Sequence, residues 1–387
     1  MMRKSLYFFI ILAVVGVAGV AFAAYEVYSS LGDMTIDTDT ILPEDGKKQE
    51  TDQSEQPPAD VPETGPPEEK EEDFYVLLIG LDYRPGSGTM NTDTIIAAHV
   101  IPQTGKIKMI SLPRDLRIDL PNGEARKINA LFYDGFSYAR SSANRNPGLL
   151  SGKEISIGGW TVAEEYVSSG MVHLRDRVEE FLDIEIKHTV LVHFETLIKL
   201  VDAVGGIEIN VERSMQYDDP TDGTHIYFEP GWQTMNGQEA LNYARFRQDN
   251  RGPAYYSNDF ERSQRQQQII TALVDKLTSW KSLTRVKEIL SIVSDSFKTD
   301  MRRSEMLNYL SKYYTVFDGN SIESIPFEGY WESPYVMIDE EERAAVREAF
   351  VSIESMDSSP PGSNPAAPAG NPSVSAAVTG NHSANAQ

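Results

Sequence analysis

An uninterrupted apolar segment near the N-terminus constrains this 387-residue chain more than any other feature. After Arg3 and Lys4, residues Leu6 to Tyr25 carry no charged side chain. About 20 helical residues, rising 1.5 Å each, cross the roughly 30 Å hydrocarbon core of a bilayer. The pattern predicts a transmembrane helix over residues 6–28. A cleaved signal peptide is the alternative, because Ala21-Phe22-Ala23 resembles a cleavage site, but the length of the apolar stretch favours an uncleaved anchor.

The charges on either side of this segment predict its orientation. Basic residues precede it and acidic residues follow it, and positive charge favours the cytoplasmic side of a membrane. Residues 1–5 are therefore expected to form a short cytoplasmic tail. The rest of the chain is predicted to lie outside the cell, as in a single-pass type II protein of the cell membrane.

Two segments of biased composition border the predicted folded body. Residues 29–73 form an acidic, proline-rich stretch, with 15 Asp or Glu and three Lys between Asp33 and Asp73, which predicts an extended extracellular linker. Residues 351–387 are rich in Pro, Gly, Ser and Ala, which predicts a disordered C-terminal tail. Residues 74–350 remain as one folded domain.

Overall composition narrows the classes of function. The net charge of -23 argues against nucleic acid as a partner, because a polyanion would be repelled. The absence of cysteine excludes disulfides and thiolate metal sites. The six histidines show no paired ligand spacing, which disfavours a zinc site.

The hydrophobic patterns of the body predict mixed helices and strands. Phe74 to Gly80 is a continuous apolar run typical of a buried central strand, and two β-rich runs, 94–101 and 106–112, predict an antiparallel hairpin. Residues 186–194 predict another strand. Helical spacing follows in residues 171–182 and 197–204, and capping residues predict helices at 236–247 and 259–280. The sum is an α/β or α+β sandwich.

Acidic residues follow the first predicted strand. Asp82 and Asp93 border a loop rich in Gly and Ser, and two carboxylates can hold Mg²⁺ together with a substrate phosphate. Aspartates in such loops also form turns, which is the simpler interpretation for each residue alone. Arg114 follows the hairpin and could form a surface salt bridge with Asp115 instead of binding a ligand.

Arginine is the only basic residue in a later segment of this acidic chain. Five arginines lie between Arg245 and Arg265, with no lysine among them. A guanidinium binds phosphate oxygens with two parallel hydrogen bonds, which a lysine cannot do. Helical spacing would put Arg262, Arg265 and Gln266 on one face near a helix N-terminus, and this arginine face would be free for a ligand. The pattern predicts an anion site, with a solvated charged helix as the alternative.

Seven blocks in the same order resemble the LytR-CpsA-Psr family. They include Leu78-Ile79-Gly80-Leu81-Asp82, Thr92-Asp93-Thr94, Ser111-Leu112-Pro113-Arg114-Asp115, Asn236 to Arg247 and Asp259 to Gln266. The resemblance covers most of Phe74 to Trp280. It implies an α/β/α sandwich with a central mixed β-sheet, behind a membrane anchor in a Gram-positive-type envelope.

The resemblance also implies an activity. Such a protein is a phosphotransferase that moves a teichoic acid or similar cell-wall glycopolymer from a polyprenyl pyrophosphate carrier to peptidoglycan. The alternatives are an envelope regulator that binds polyprenyl phosphates without catalysis, and a lipid pyrophosphate phosphatase. An apolar tunnel for the polyprenyl chain is expected along residues 76–79, 95–100, 190–192 and 197–204, although these residues could equally be core.

The family's functional residues fall on positions already singled out. Asp82 and Asp93 correspond to its metal ligands, for Mg²⁺ or Mn²⁺, and Asp82, Asp93 and Arg114 form the implied catalytic set. The general base stays open between Asp82, Asp93 and Asp115. Pyrophosphate-binding side chains are implied at Arg114, Arg245, Arg247, Arg262 and Gln266.

One departure from the family pattern concerns the cations of the site. Asn91 stands where the family commonly has arginine. Arg251, in the long loop before residue 259, is a hypothetical substitute for the missing charge.

Overall fold

A computed structural model describes residues 32–38, 72–83, 90–220, 223–278, 297–313, 321–327 and 329–353. The predicted transmembrane helix, the cytoplasmic tail, most of the acidic linker and nearly all of the C-terminal tail lie outside these residues. None of the helices in the described part of the chain is both long enough and apolar enough to cross a membrane.

The fold is a mixed α/β fold built on a six-stranded mixed sheet, in the order β13-β8-β1-β2-β3-β14. The predicted strand at Phe74 is central, and the predicted hairpin is its antiparallel neighbour. Strand β8 pairs with β1 in parallel, as β14 does with β3, whereas β13 runs antiparallel to β8. The strands are β1 (Phe74–Tyr83), β2 (Met90–Ile101), β3 (Lys106–Ser111), β8 (Ile186–His193), β13 (Phe297–Thr299) and β14 (Ile322–Ile325).

Small two-stranded sheets surround this central sheet. They pair β4 with β5, β6 with β7, β9 with β12, β10 with β11, and β15 with β16. Their strands are β4 (Arg117–Asp119), β5 (Ala125–Lys127), β6 (Glu154–Ile157), β7 (Trp160–Ala163), β9 (Ile207–Val211), β10 (Met215–Asp219), β11 (Thr224–Phe228), β12 (Gly231–Met235), β15 (Tyr330–Glu332) and β16 (Tyr335–Met337).

Helices supply the remaining layers. Side chains alternate across a strand, so Leu77 and Ile79 of β1 share a face, and they join the main core with the first two long helices. A second core lies between β9 to β12 and three other helices. The helices are α1 (Leu131–Arg145), α2 (Glu164–Leu182), α3 (Phe194–Ala203), α4 (Gly237–Arg245), α5 (Asp259–Thr278), α6 (Arg303–Tyr313) and α7 (Glu340–Val351).

The caps explain where the two arginine-bearing helices begin. Asn236 and Glu239 form the predicted capping box of α4, with each side chain accepting from the other residue's backbone N–H. The helix ends at Arg245, two residues earlier than predicted. In α5 the cap is Asn258 rather than Asp259, since Asn258 Oδ1 accepts from Glu261 N at 2.8 Å.

Residues 32–38 correct the predicted boundary of the acidic linker. Met34 and Ile36 are almost fully buried, and Ile36 N donates to Thr299 O at 2.8 Å. Lys298 Nζ donates to Asp33 O at 2.7 Å. The linker prediction rested on charge density, but apolar side chains two residues apart gave this short piece a face to bury. The segment is part of the folded body.

Candidate active site

The candidate site lies where β1 ends and β2 begins, next to the loop that follows β3. The register of β1 against β2 shifts after Gly80, which pairs with Thr94, while Leu81 pairs with Thr92. Asp93 is therefore the extra residue of a β-bulge, a distortion that redirects a side chain near a functional site. Asn91 lies directly opposite Asp82. The bulge brings both predicted aspartates to one end of the sheet.

Each of these aspartates pairs with a predicted arginine. Arg245 Nη2 lies 3.1 Å from Asp82 Oδ2, and Arg114 Nη1 lies 3.3 Å from Asp93 Oδ1. All four side chains are partly exposed, between 22% and 34%. Ion pairs that keep this much contact with solvent can open for a ligand at modest cost. Four of the seven predicted site residues thus meet in the fold.

Asp115 is an anchor beneath this charged surface. It is buried, and Oδ1 accepts from Lys127 Nζ at 2.8 Å while Oδ2 lies 3.6 Å from Arg114 Nε. Burial alone would raise the pKa of Asp115, but the hydrogen bond from Lys127 and the charges of Arg114 and Arg247 outweigh burial and hold this pKa below its usual value. This carboxylate is buried and both of its oxygens face cations of the protein, which makes Asp115 the weakest of the three candidates for general base.

Lys127 is a site residue that sequence reasoning missed. Its only signal was its place in a block shared with the family, Lys127-Ile128-Asn129-Ala130. The chain reverses between β4 and β5 and returns Lys127 to the loop after β3, where Asn129 N donates to Arg114 O at 3.2 Å. We refer to Asp82, Asp93, Arg114, Asp115, Lys127, Arg245 and Arg247 as the charged site.

The end of α4 supplies two arginines. The Arg245 guanidinium lies 4.7 Å from the centre of the Phe194 ring, a cation–π contact that orients it toward Asp82. Arg247, two residues beyond the helix, is exposed and close enough to Asp115 to lower its pKa. Arg245 is thus the last residue of α4 and Arg247 lies just beyond it, whereas the sequence predicted a helix through residue 247.

The first turns of α5 carry three residues of the predicted arginine face. Arg262 is buried, and Gln266, one helical turn further on, is half-buried. Arg265, only 1% exposed, binds Tyr243 O at 3.1 Å, Phe246 O at 2.7 Å, Ser257 Oγ at 2.8 Å and Glu212 Oε1 at 3.0 Å. The predicted free arginine face is thus partly wrong, because Arg265 is a structural side chain that holds the end of α4.

Arg251 also has a structural role. It binds Asp249 with two bonds, Nε to Oδ1 at 2.8 Å and Nη2 to Oδ2 at 2.7 Å, and it stacks on Tyr255. The bond from Arg251 is the main reason that the pKa of Asp249 falls to about 2. Within the described ranges, Arg251 contacts neither Asn91 nor the aspartates of the charged site. The geometry gives no support to the idea that it replaces the missing arginine.

A cavity of about 1080 Å³ lies along α5, and none of its lining residues belongs to the charged site. Its wall includes Ser111 at the end of β3 and Ser263 next to Arg262, and it continues along α5 to Ala272. The strands predicted to line a tunnel do not contribute to it. Leu77, Ile79 and Ile95 belong to the closed core instead, whereas Val76 and Leu78 on the other face of β1 stay half-buried.

The donor set of the charged site fits a hard cation. Asp82 and Asp93 offer carboxylate oxygens, and Mg²⁺ is commonly held by one or two carboxylates plus substrate phosphate. In the part of the chain that the structure describes, no group of three or more acidic or histidine side chains forms a complete metal cage. The residues thus suit a cation that shares its coordination with a bound phosphate.

Guanidinium groups such as those of Arg114 and Arg245 offer the forked donors that commonly bind phosphate oxygens. A match to the LytR_cpsA_psr family covers residues 35–349. The chain belongs to the LytR-CpsA-Psr family. The match begins within the short packed segment 32–38, which agrees with the revised start of the folded body.

Known relatives share this domain. The chain is 30% identical over 268 residues to the polyisoprenyl-teichoic acid–peptidoglycan teichoic acid transferase TagV of Bacillus subtilis strain 168, which covers 67% of this chain and 58% of that protein. It is 28% identical to the transferase TagU of Enterococcus faecalis, over 72% of this chain and 78% of that protein. The crystal structure of B. subtilis TagV superposes with a TM-score of 0.53 at 27% identity, over 73% of this chain and 97% of that one. The chain thus spans less than two thirds of the full TagV sequence.

Proposed function

We propose that this protein transfers a polyprenyl-pyrophosphate-linked cell-wall glycopolymer to peptidoglycan, forming a phosphodiester link. The observation that carries the proposal is the pairing of Asp82 with Arg245 and of Asp93 with Arg114 at one end of the sheet. Curated relatives at 28–30% identity are named as teichoic acid transferases that act on this combination of substrates.

The chemistry that the residues must support is attack by a sugar hydroxyl of the acceptor on the sugar-side phosphorus. The phosphorus–oxygen bond to polyprenyl phosphate breaks as the new phosphodiester bond forms. Water or a carboxylate accepts the proton of the attacking hydroxyl. Negative charge grows on the phosphate oxygens. Arg114, Arg245 and Arg247 are the cations placed to neutralise it, and no covalent enzyme intermediate is needed.

The existing ion pairs prepare the site for this charge. Arg114 and Arg245 are held in place by aspartates before a substrate arrives, so their ordering costs little on binding. A pyrophosphate would compete for the same donors because its oxygens accept two parallel hydrogen bonds from a guanidinium. Lys127 stays bound to Asp115 and maintains the loop that carries Arg114.

A divalent cation completes the proposal. Asp82 and Asp93 would hold Mg²⁺ or Mn²⁺, which supplies charge neutralisation to the bound pyrophosphate. Release of the two aspartates from their arginines would free oxygen ligands and guanidinium donors together. Between them, Asp82 and Asp93 also remain the candidates for general base.

The polyprenyl chain requires an apolar surface close to the charged site. The half-buried face of β1, with Val76 and Leu78, is one such surface. The cavity along α5 is another, with Phe260, Ile325 and Phe327 among its lining residues. β1 leads from this face to Asp82, and the cavity wall includes Ser111, three residues before Arg114.

We also propose that residues 6–28 anchor the chain in the cell membrane, with the folded domain outside the cell. The length and orientation of the apolar segment support this arrangement, and a membrane-bound lipid carrier would require it. After cell fractionation, the intact chain should remain with the membranes and keep its natural N-terminus. A soluble main species that begins near Ala24 would refute the anchor.

A transfer assay tests the activity and separates it from the alternatives. The full-length protein is incubated with a lipid-linked glycopolymer, Mg²⁺, and either peptidoglycan or no acceptor. A transferase joins polymer to peptidoglycan and releases polyprenyl phosphate. Hydrolysis at the same rate without acceptor would identify a phosphatase, and binding without turnover in either condition would identify a regulator.

A further inference from the structure

The hairpin formed by β15 and β16 presents an exposed tryptophan beside the charged site. Trp331 is 55% exposed, although burial of its indole ring would be favourable. It pairs in register with Val336, whose N–H donates to Asp115 O at 2.8 Å. Lys127 Nζ, bound to Asp115, lies 5.8 Å from the centre of the Trp331 ring. The hydrogen bond of Val336 and the contact of Lys127 thus connect this part of the hairpin to Asp115 and Lys127, next to Arg114.

The hairpin is fixed against the charged site rather than loosely attached. Leu116 forms a parallel bridge with Val336, and Tyr335 donates from its hydroxyl to Ala125 O at 3.1 Å. The Arg117 guanidinium lies 5.9 Å from the centre of the Tyr335 ring. These contacts join the hairpin to both sides of the β4–β5 turn, so the exposed indole occupies a defined position.

Cross-strand partners share one face of a hairpin, so Trp331 lies on the face of Val336, toward the charged site. Tyr330 pairs with Met337 and lies on the opposite face. It is also exposed, at 47%, which makes it a matched control one residue away.

The charges around the hairpin narrow the chemistry of its ligand. Glu332 is exposed directly beside Trp331, and Asp339 is exposed just beyond β16. The negative charges of Asp339 and Glu332 contribute to a raised pKa of the Tyr330 hydroxyl. These local carboxylates disfavour the anionic donor polymer on the hairpin itself, whereas a neutral sugar ring of the acceptor is not repelled.

We propose that Trp331 is a stacking platform for a pyranose ring of the acceptor glycan. The flat indole offers an apolar face to the C–H groups of one face of the sugar. A ring held at this position places the neighbouring sugar toward Arg114 and the bound phosphate. This inference rests on the proposed transfer to peptidoglycan and assigns the acceptor side of that site.

The test separates glycan binding from pyrophosphate binding in the full-length protein. Two probes are used, the N-acetylglucosamine tetramer for the acceptor glycan and farnesyl pyrophosphate for the donor head group. Trp331→Ala should bind the tetramer about tenfold more weakly, as expected for a tryptophan at the centre of a binding surface. Its affinity for farnesyl pyrophosphate should be unchanged. Trp331→Phe should restore part of the tetramer affinity, and Tyr330→Ala should behave as wild type.

Each other result has a defined meaning. Unchanged tetramer affinity in Trp331→Ala overturns the platform, as does an equal loss in Tyr330→Ala. Weaker farnesyl pyrophosphate binding with an intact tetramer affinity would assign the hairpin to the donor and overturn the acceptor assignment. A wild-type protein that binds the tetramer but not farnesyl pyrophosphate would refute the proposed transfer while leaving Trp331 as a glycan site.

Discussion

Replacement of Arg265 by lysine keeps one positive charge but removes the forked donors of the guanidinium. In the native structure that fork reaches Tyr243 O, Phe246 O, Ser257 Oγ and Glu212 Oε1. These acceptors surround the planar guanidinium group, and a single lysine ammonium at the end of a flexible chain cannot bond to all of them. The backbone carbonyls of Tyr243 and Phe246 are therefore expected to lose their charged donor.

The expected cost follows from the number of buried acceptors. A buried acceptor left without a partner costs about 1–3 kcal/mol, so the loss of both carbonyl bonds gives about 2–6 kcal/mol for Arg265→Lys. Arg265→Met also breaks the ion pair with Glu212, but that carboxylate is 40% exposed and water can solvate it, so this loss adds less than about 1 kcal/mol. Either change is a large part of the roughly 5–15 kcal/mol that stabilises a folded domain.

Urea unfolding provides the assay, with Arg213→Lys as the matched control. Arg213 also donates to Ser257 Oγ, at 3.0 Å, and pairs with Glu261, but its side chain is 31% exposed. Solvent can replace its contacts, so the control should lose less than about 1 kcal/mol. An Arg265→Lys variant as stable as this control would show that the fork does not hold the end of α4.

The same substitution should also weaken pyrophosphate binding. Arg265 touches no part of the proposed substrate, but it anchors the carbonyls on either side of the segment that carries Arg245. Farnesyl pyrophosphate affinity should therefore fall in Arg265→Lys even at temperatures where the protein stays folded, as monitored by circular dichroism. Unchanged affinity in the folded variant would limit Arg265 to a role in stability.

Other substitutions test the charged site directly. Asp93→Ala should abolish Mg²⁺-dependent transfer with the fold retained, and full activity would return Asp93 to the role of a turn former. Arg245→Lys should lose most farnesyl pyrophosphate affinity because the fork is lost; equal binding would contradict bidentate recognition. Because the folded pKa of Asp115 lies below its ordinary value of 3.8, this carboxylate stabilises the fold above that value and the contribution is lost as pH falls through the folded pKa. In Asp115→Asn, the free energy of unfolding measured with urea should therefore fall less steeply below about pH 5 than in the wild type. An equally steep fall in the variant would rule out this contribution.

The main strands and several helices could be predicted from sequence because their signals are local. A continuous apolar run is enough to predict β1, and two β-rich runs separated by a short turn are enough to predict β2 and β3. The capping box at Asn236 likewise depends on two residues three positions apart. Such patterns act within one or two turns of chain and need no knowledge of the rest of the fold.

The roles of individual charged residues could not be predicted in this way. Arg262 and Arg265 have the same chemistry and lie on one helix, yet only contacts with α4 and β9 make Arg265 a structural residue. Lys127 becomes part of the charged site because the β4–β5 turn returns it to Asp115. The charge pattern along the chain indicates which kind of ligand to expect. Whether a charged side chain is buried, and which residue it pairs with, depends on segments that are distant in sequence.

The sequence by itself determined the class of fold and the family, since hydrophobic period and ordered motifs are properties of the chain alone. Only the tertiary structure decided which aspartate pairs with which arginine, that Asp115 is a buried anchor, and that residues 32–38 belong to the folded body. The physical reason is that an ion pair or a buried side chain is defined by distance in space. The β-bulge at Asp93 and the bridge between Leu116 and Val336 of the β15–β16 hairpin bring together segments that are far apart in sequence. No local pattern extends over such a separation.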